Sequence, residues 1–223
     1  MAKEEKKYTN VTTPIGICSF PYLVKPDTGR KESSNKYSCE IYIPKPVWAK
    51  EGKPVVDAIM KIAREFFKNP KLKKLSEFKN PITDMDTVSD AKDYQKGTIR
   101  IRAKASSSFS PGGKDQKPTV IGPRKDPESG KFPVLSEEIV AAIKGGDHVR
   151  LIGGLFGYTQ QGGGISMGLN FVQFAKEGKA IGQGKMKQLE NLGEIEVDLD
   201  SPEEMVDTEE SDEEEVDPSM QFG

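Results

Sequence analysis

Three basic side chains, Arg100, Arg102 and Lys104, recur at every second position of the run Ile99-Arg100-Ile101-Arg102-Ala103-Lys104-Ala105. Period-two spacing places them on one face of a β-strand and Ile99, Ile101, Ala103 and Ala105 on the other. No acidic residue of this run shares the charged face. Phosphate is the anion such a row can neutralise, although a solvated strand face is the plainer meaning of charged alternation. Aromatic residues add a second chemistry. Tyr22, Tyr42, Trp48, Phe109, Phe156 and Tyr158 lie near basic or Gly-rich segments, and proteins that bind single strands stack bases on such rings at about 1–3 kcal/mol each. With Lys36 and Arg150, the candidate DNA-binding set is Lys36, Tyr42, Trp48, Arg100, Arg102, Lys104, Phe109, Arg150 and Tyr158.

The charge distribution favours the phosphate reading. The chain has 223 residues and a formal net charge of −2, but all 33 Lys and Arg lie at or before Lys187. Fifteen of the 35 Asp and Glu lie beyond it, so the body carries 33 basic against 20 acidic residues, a net of +13. A basic body tied to an acidic tail is expected to bind a polyanion and to contact its own tail.

Signals for catalysis fail one by one. Gly182-Gln183-Gly184-Lys185 lacks the first glycine of a phosphate loop, since residue 179 is Lys, and Met186 stands where Ser or Thr would hold magnesium. Asp84 and Asp86 are a carboxylate pair without a third partner nearby in sequence, which reads as surface charge. His148 is the single histidine and has no nucleophile motif to serve. With Cys18 and Cys39 it cannot supply four zinc ligands. The two cysteines read as buried reduced thiols. No metal and no cofactor is expected, and an enzyme is disfavoured. The charged start and the short apolar run 151–158 argue against a signal peptide and a membrane span, so a soluble, cytoplasmic protein is expected.

The elements that must hold these residues follow from periodicity. Ile15 and Ile17, then Tyr37, Cys39, Ile41 and Ile43, predict two antiparallel strands joined by a long loop, with Ser38, Glu40 and Tyr42 on an open face. Val56, Ile59, Met60, Ala63, Phe66 and Phe67 predict an amphipathic helix with Pro54 in its first turn, ended by Asn69-Pro70. Residues 98–105 form the basic strand, and Thr119, Val120 and Ile121 a short one. A helix capped by Ser136 has Ile139, Val140 and Ile143 as its apolar face and stops at Gly145. Strands over 148–158 and 165–175 flank a Gly-rich hairpin, with a bulge or bend at Gly153-Gly154. Five or six strands and two helices predict a mainly β protein, a small Greek-key barrel with inserted helices, over residues 1–182. Residues 183–223 form a flexible linker and acidic tail, too poor in large apolar residues to fold.

The tail ends Glu213-Glu214-Glu215-Val216-Asp217-Pro218-Ser219-Met220-Gln221-Phe222-Gly223. Its charge can occupy a basic groove as a nucleic-acid mimic, while Phe222 can anchor in a partner's apolar pocket. Glu213, Glu214, Glu215, Asp217 and Phe222 are therefore the candidate docking residues.

The segment Gly164-Ile165-Ser166-Met167-Gly168-Leu169-Asn170-Phe171-Val172-Gln173-Phe174, with Ser19-Phe20-Pro21-Tyr22-Leu23, Lys36-Tyr37-Ser38 and Ile43-Pro44-Lys45, resembles phage single-stranded-DNA-binding proteins of the DUF2815 type. The tail is similar to that of the short-tailed coliphage replisome proteins of the same group, where the aromatic is the last residue and here Gly223 follows. The resemblance implies an OB-fold that coats single-stranded DNA in phage replication and recombination in the infected cell. It also implies a tail that contacts a polymerase or helicase. A strand-annealing mediator that also binds duplex DNA, a metal-dependent nuclease and an acidic-tailed protein-binding chaperone stay open as alternatives, as does a homodimer.

Overall fold

Alternation of apolar and polar residues decides which side of each strand is buried. The computed structural model describes residues 8–28, 35–107 and 115–181. Within them β2 (Gly16–Asp27), β3 (Lys36–Pro44) and β5 (Thr98–Ser106) form an antiparallel meander. Tyr37, Cys39, Ile41 and Ile43 of β3 lie directly opposite Ala105, Ala103, Ile101 and Ile99 of β5, and all are buried. Cys18 joins them from β2, its Sγ 3.5 Å from that of Cys39. Both thiols are free and buried, and the hydrogen bond between them, with burial, pushes the Cys39 thiol well up.

β3 runs directly into α1 (Lys45–Glu51) and α2 (Lys53–Phe66), each with a proline in its first turn. α2 buries Val55, Ile59, Met60, Ile62 and Ala63 in the common core. Its apolar stripe is thus rotated from the expected one, since Val56 is only half-buried and Phe67 lies past the helix end, exposed. α1 was not expected. It is too short to show a period, and it packs Val47 and Trp48 against the core, while Lys45 Nζ at its start lies 2.9 Å from Asp84 Oδ1, at the end of strand β4 (Ile82–Asp84), and 2.6 Å from Asp86 Oδ2. The Gly97 N–H, then Lys45, hold the Asp86 carboxyl below the usual range. The carboxylate pair is therefore spent on a structural clamp.

The remaining elements are β1 (Thr9–Thr12), β6 (Thr119–Ile121), α3 (Glu137–Ala142), β7 (His148–Tyr158), β8 (Gly164–Met167) and β9 (Phe171–Lys176). β2 meets β7 at Gly16↔Val149 and Ile17↔His148, and β7 turns back into β8 through a short 3-10 segment. Beyond β8, Gly168 forms a parallel bridge to Lys104, and the Leu169 N–H donates to the Lys104 carbonyl at 3.0 Å. The circuit β2–β3–β5–β8–β7–β2 is thereby closed, the strand order of an OB-type Greek-key barrel. β1, β9 and β6 extend it beside β7, and β4 beside β5.

Two expectations need correction. The strand foreseen over 165–175 is two strands, because β7 changes partner from β9 to β8 at Gly153-Gly154. A side chain at Gly153 would collide with the Gly168 carbonyl, so the glycine serves this close approach. α3 is capped as foreseen, with Ser136 Oγ accepting from the Ile139 N–H, but it ends at Ala142 and leaves Ile139 exposed.

Candidate nucleic-acid interface

The outer face of β5 carries Arg100, Arg102 and Lys104, and the register shows what each one meets. Their direct partners on β3 are Tyr42, Glu40 and Ser38. Directly opposed residues share a face, so the ladder does have an acidic neighbour. Arg102 Nε lies 2.9 Å from Glu40 Oε1, and Glu40 is only 8% exposed. Arg100 is half-buried and donates from Nη2 to Thr83 Oγ1 of β4 at 3.2 Å. Lys104 is exposed. Partial burial of its stem and the positive charges of Arg102 and Lys36 lower its pKa, against the opposite pull of Glu40 and Asp27. Lys104 therefore lies among charges of both signs, Arg102 and Lys36 against Glu40 and Asp27, on an exposed part of the face.

Tyr42 does not lie on an open face. It is 2% exposed, its hydroxyl accepts from Gln95 Nε2 at 2.7 Å, and its ring meets Tyr94 edge-on at 6.1 Å. The 3-10 turn Asp93–Gln95 covers it, a tertiary contact invisible to strand parity, and no base can reach its ring. Trp48 sits in α1, packed over Gly52 and against the core, which is the opposite side of β3 from the ladder. Tyr158 ends β7 beside Gly164, next to Lys79. Arg150 is on β7 opposite Gln173, half-buried, with an Nε that has no hydrogen-bond partner among the described residues. Lys36 opens β3 opposite Ser106, close enough to Lys104 to depress it. Phe109, Glu213, Glu214, Glu215, Asp217 and Phe222 lie outside the described residues. The structure thus brings Lys36, Arg102 and Lys104 together, keeps Arg100 adjacent but engaged, and separates Trp48 and Tyr158 from them.

The rings that do flank the ladder are Phe20 and Tyr22. The β2–β3 register runs Ser19↔Glu40 and then Tyr22↔Ser38, three residues against two, so β2 carries one extra residue at this point, and a second shift follows between Tyr22 and Asp27. Phe20 within this bulge has φ +49°, a conformation that costs a bulky residue on the order of 1–3 kcal/mol. Phe20 is 55% and Tyr22 36% exposed. One row across three strands therefore reads Tyr22, Ser38, Lys104, and the next Ser19, Glu40, Arg102. The sequence signal for the bulge was slight, a proline directly after an aromatic in an otherwise strand-like run.

Among the described residues no group of three His, Cys, Asp or Glu could hold a metal, and no helix is long and apolar enough to cross a membrane. His148 is buried beside Lys176, with burial first and then that lysine pushing its pKa down.

The family described as Enterobacter phage Enc34, ssDNA-binding protein, matches residues 9–205. No curated protein matches the sequence. Among solved structures, the single-stranded-DNA-binding protein of bacteriophage Enc34 in complex with ssDNA is similar with a TM-score of 0.61 at 22% identity, over 81% of this chain and 97% of that one. Its C-terminal truncation gives 0.58 at 22% identity, over 77% and 87%. A further structure of that protein gives 0.57 at 21% identity, over 86% and 97%. At such identities the likeness is one of fold, and it agrees with the mainly β architecture described above.

Proposed function

The chain belongs to the family of the Enterobacter phage Enc34 ssDNA-binding protein, and from that premise we propose that it binds and coats single-stranded DNA during phage replication and recombination in the infected cell. It acts as a binding module and not as an enzyme. The observation that carries the choice of surface is the cluster Lys36, Arg102 and Lys104 on the outer face of β3 and β5, three cations brought together by the register with Lys104 exposed. Phosphates lying along this face add counter-charge to the cations gathered there. Arg100, tied to Thr83, and Arg150, across the barrel on β7, extend the positive surface.

In the same reading the acidic residues beyond Lys187 act in two ways. Tethered to a body of +13, they reach an effective concentration on the order of mM and compete with DNA for the basic face. Near-terminal Phe222 supplies an apolar anchor for a replicative polymerase or helicase.

Titration of labelled oligo-dT over a salt series tests the reading. Binding with a log K against log salt slope that shallows by about 0.7 for each phosphate contact removed is expected when Lys36 and Lys104 are replaced by Gln. Absence of binding at low salt overturns it. Deleting 194–223 is expected to tighten binding most at low salt, where the Debye length exceeds the roughly 8 Å of physiological ionic strength. A strand-annealing assay and the ratio of single-strand to duplex affinity separate a coating protein from a recombination mediator.

A further inference from the structure

The extra residue in β2 decides where two aromatic rings go. Ser19 faces outward, opposite Glu40, and simple alternation would then send position 22 into the core and position 23 outward. The bulge reverses this. Leu23 is fully buried in the core, while Tyr22 faces outward opposite Ser38 and Phe20 is left exposed with a left-handed backbone. Glycine is the residue that position favours, yet a phenylalanine occupies it. Neither ring packs against another aromatic among the described residues.

The surroundings supply what a nucleotide needs beside an exposed ring. Ser38, between Tyr22 and Lys104, is small and buried, so it adds no bulk to the row, and the phenol and the ammonium flank it two strands apart. Two strand spacings place the backbones about 10 Å apart, a gap that long side chains span from both sides. Arg102 occupies the adjoining row, level with Ser19 at the start of the bulge.

We propose that Phe20 and Tyr22 form a base-stacking platform for unpaired bases of a strand whose phosphates lie along Lys36, Arg102 and Lys104. This inference rests on the single-stranded-DNA reading of the same face. Such a platform selects single strands over duplex, because in a duplex the base faces are already covered by their neighbours. It is indifferent to sequence, since every base has a π-face.

The test compares two probes of equal length and charge, oligo-dT and an oligonucleotide made of abasic sites, titrated by fluorescence anisotropy against the full chain. The wild-type protein is expected to bind oligo-dT more tightly than the abasic strand. Phe20→Gly and Tyr22→Leu are each expected to shrink that ratio about fivefold or more, leaving affinity for the abasic strand and the salt slope unchanged. Phe20→Gly suits the observed φ, so its Tm is expected to hold or rise, and lost stacking is not mistaken for lost folding. A double variant that keeps the full oligo-dT preference, while Lys36→Gln and Lys104→Gln still weaken both probes, overturns the platform and leaves the binding face standing. Wild-type protein that binds neither probe overturns the reading beneath it, and the platform with it.

Discussion

The two ends of one strand face behave differently although their sequence pattern is the same. At the Arg100 end, the opposing Tyr42 is sealed by Gln95 and Tyr94, and the guanidinium is engaged by Thr83 of β4. At the Lys104 end, the opposing residue is a small serine, β4 has ended, and the flank is an exposed tyrosine on a bulged strand. Between them Arg102 is paired with Glu40. The ladder is therefore graded from structural to available, and what grades it is the covering turn Asp93–Gln95 at one end and the bulge in β2 at the other.

The largest expected effect breaks the sealed end. Tyr42→Ala removes a fully buried ring and strands Gln95, so a loss on the order of 3–5 kcal/mol is expected in urea unfolding. Oligo-dT affinity of the protein that remains folded is expected to be unchanged, since no base touches that ring. A selective loss of affinity at unchanged stability would put Tyr42 back in the site.

Arg102 tests the middle of the ladder. Arg102→Ala leaves the Glu40 carboxylate buried without its partner, and a loss of about 1–3 kcal/mol is expected, less than for a fully buried pair because Arg102 is partly solvated. The double change Glu40→Gln with Arg102→Ala is expected to recover most of the stability but not the DNA affinity. Equal stability of the single and double variants would show that the ion pair is not what holds this row.

The open end is expected to respond in the opposite sense. Lys104→Gln relieves the repulsion from Arg102 and Lys36, so Tm is expected to stay level or rise slightly while oligo-dT binding weakens and its salt slope drops by about 0.7. A fall in Tm together with unchanged binding would exchange the roles assigned to the two ends.

The smallest effect lies next to the face. His148, paired with Ile17 and Lys176 on its outward side, has its folded pKa depressed by burial and by Lys176, with Asp147 pulling the other way. The unfolded chain therefore takes up a proton first, and stability is present above the ordinary histidine pKa of about 6.5 and falls as pH drops through it towards the folded value. Scanning Tm against pH is expected to show this loss in the wild type and a flatter curve in His148→Gln. Superimposed curves would mean that His148 does not carry the dependence.

The closed core of β2, β3 and β5 was legible because Tyr37, Cys39, Ile41 and Ile43, and Ile99, Ile101, Ala103 and Ala105, obey period two without interruption. So were the Ser136 cap, the turn between β7 and β8 and the uneven charge. These depend on interactions within a few residues or on composition, which a linear chain carries openly. α1 and the division between β8 and β9 were not legible. The first is too short to show a helical period and is held by packing of Val47 and Trp48 on a core assembled from distant strands, and the second depends on the collision that Gly153 avoids with Gly168.

The same distinction applies to the candidate site. That Arg100, Arg102 and Lys104 share a face is readable from the residue order alone, because strand alternation is a local property of the backbone. Which of them stays available depends on contacts from elsewhere in the chain, since Glu40 reaches Arg102 and Thr83 reaches Arg100 from other strands. Tertiary structure also turned Tyr22 outward and covered Tyr42 on the outer face. One inserted residue inverts the parity of everything after it in a strand, and one covering turn buries a face that alternation alone would leave in water.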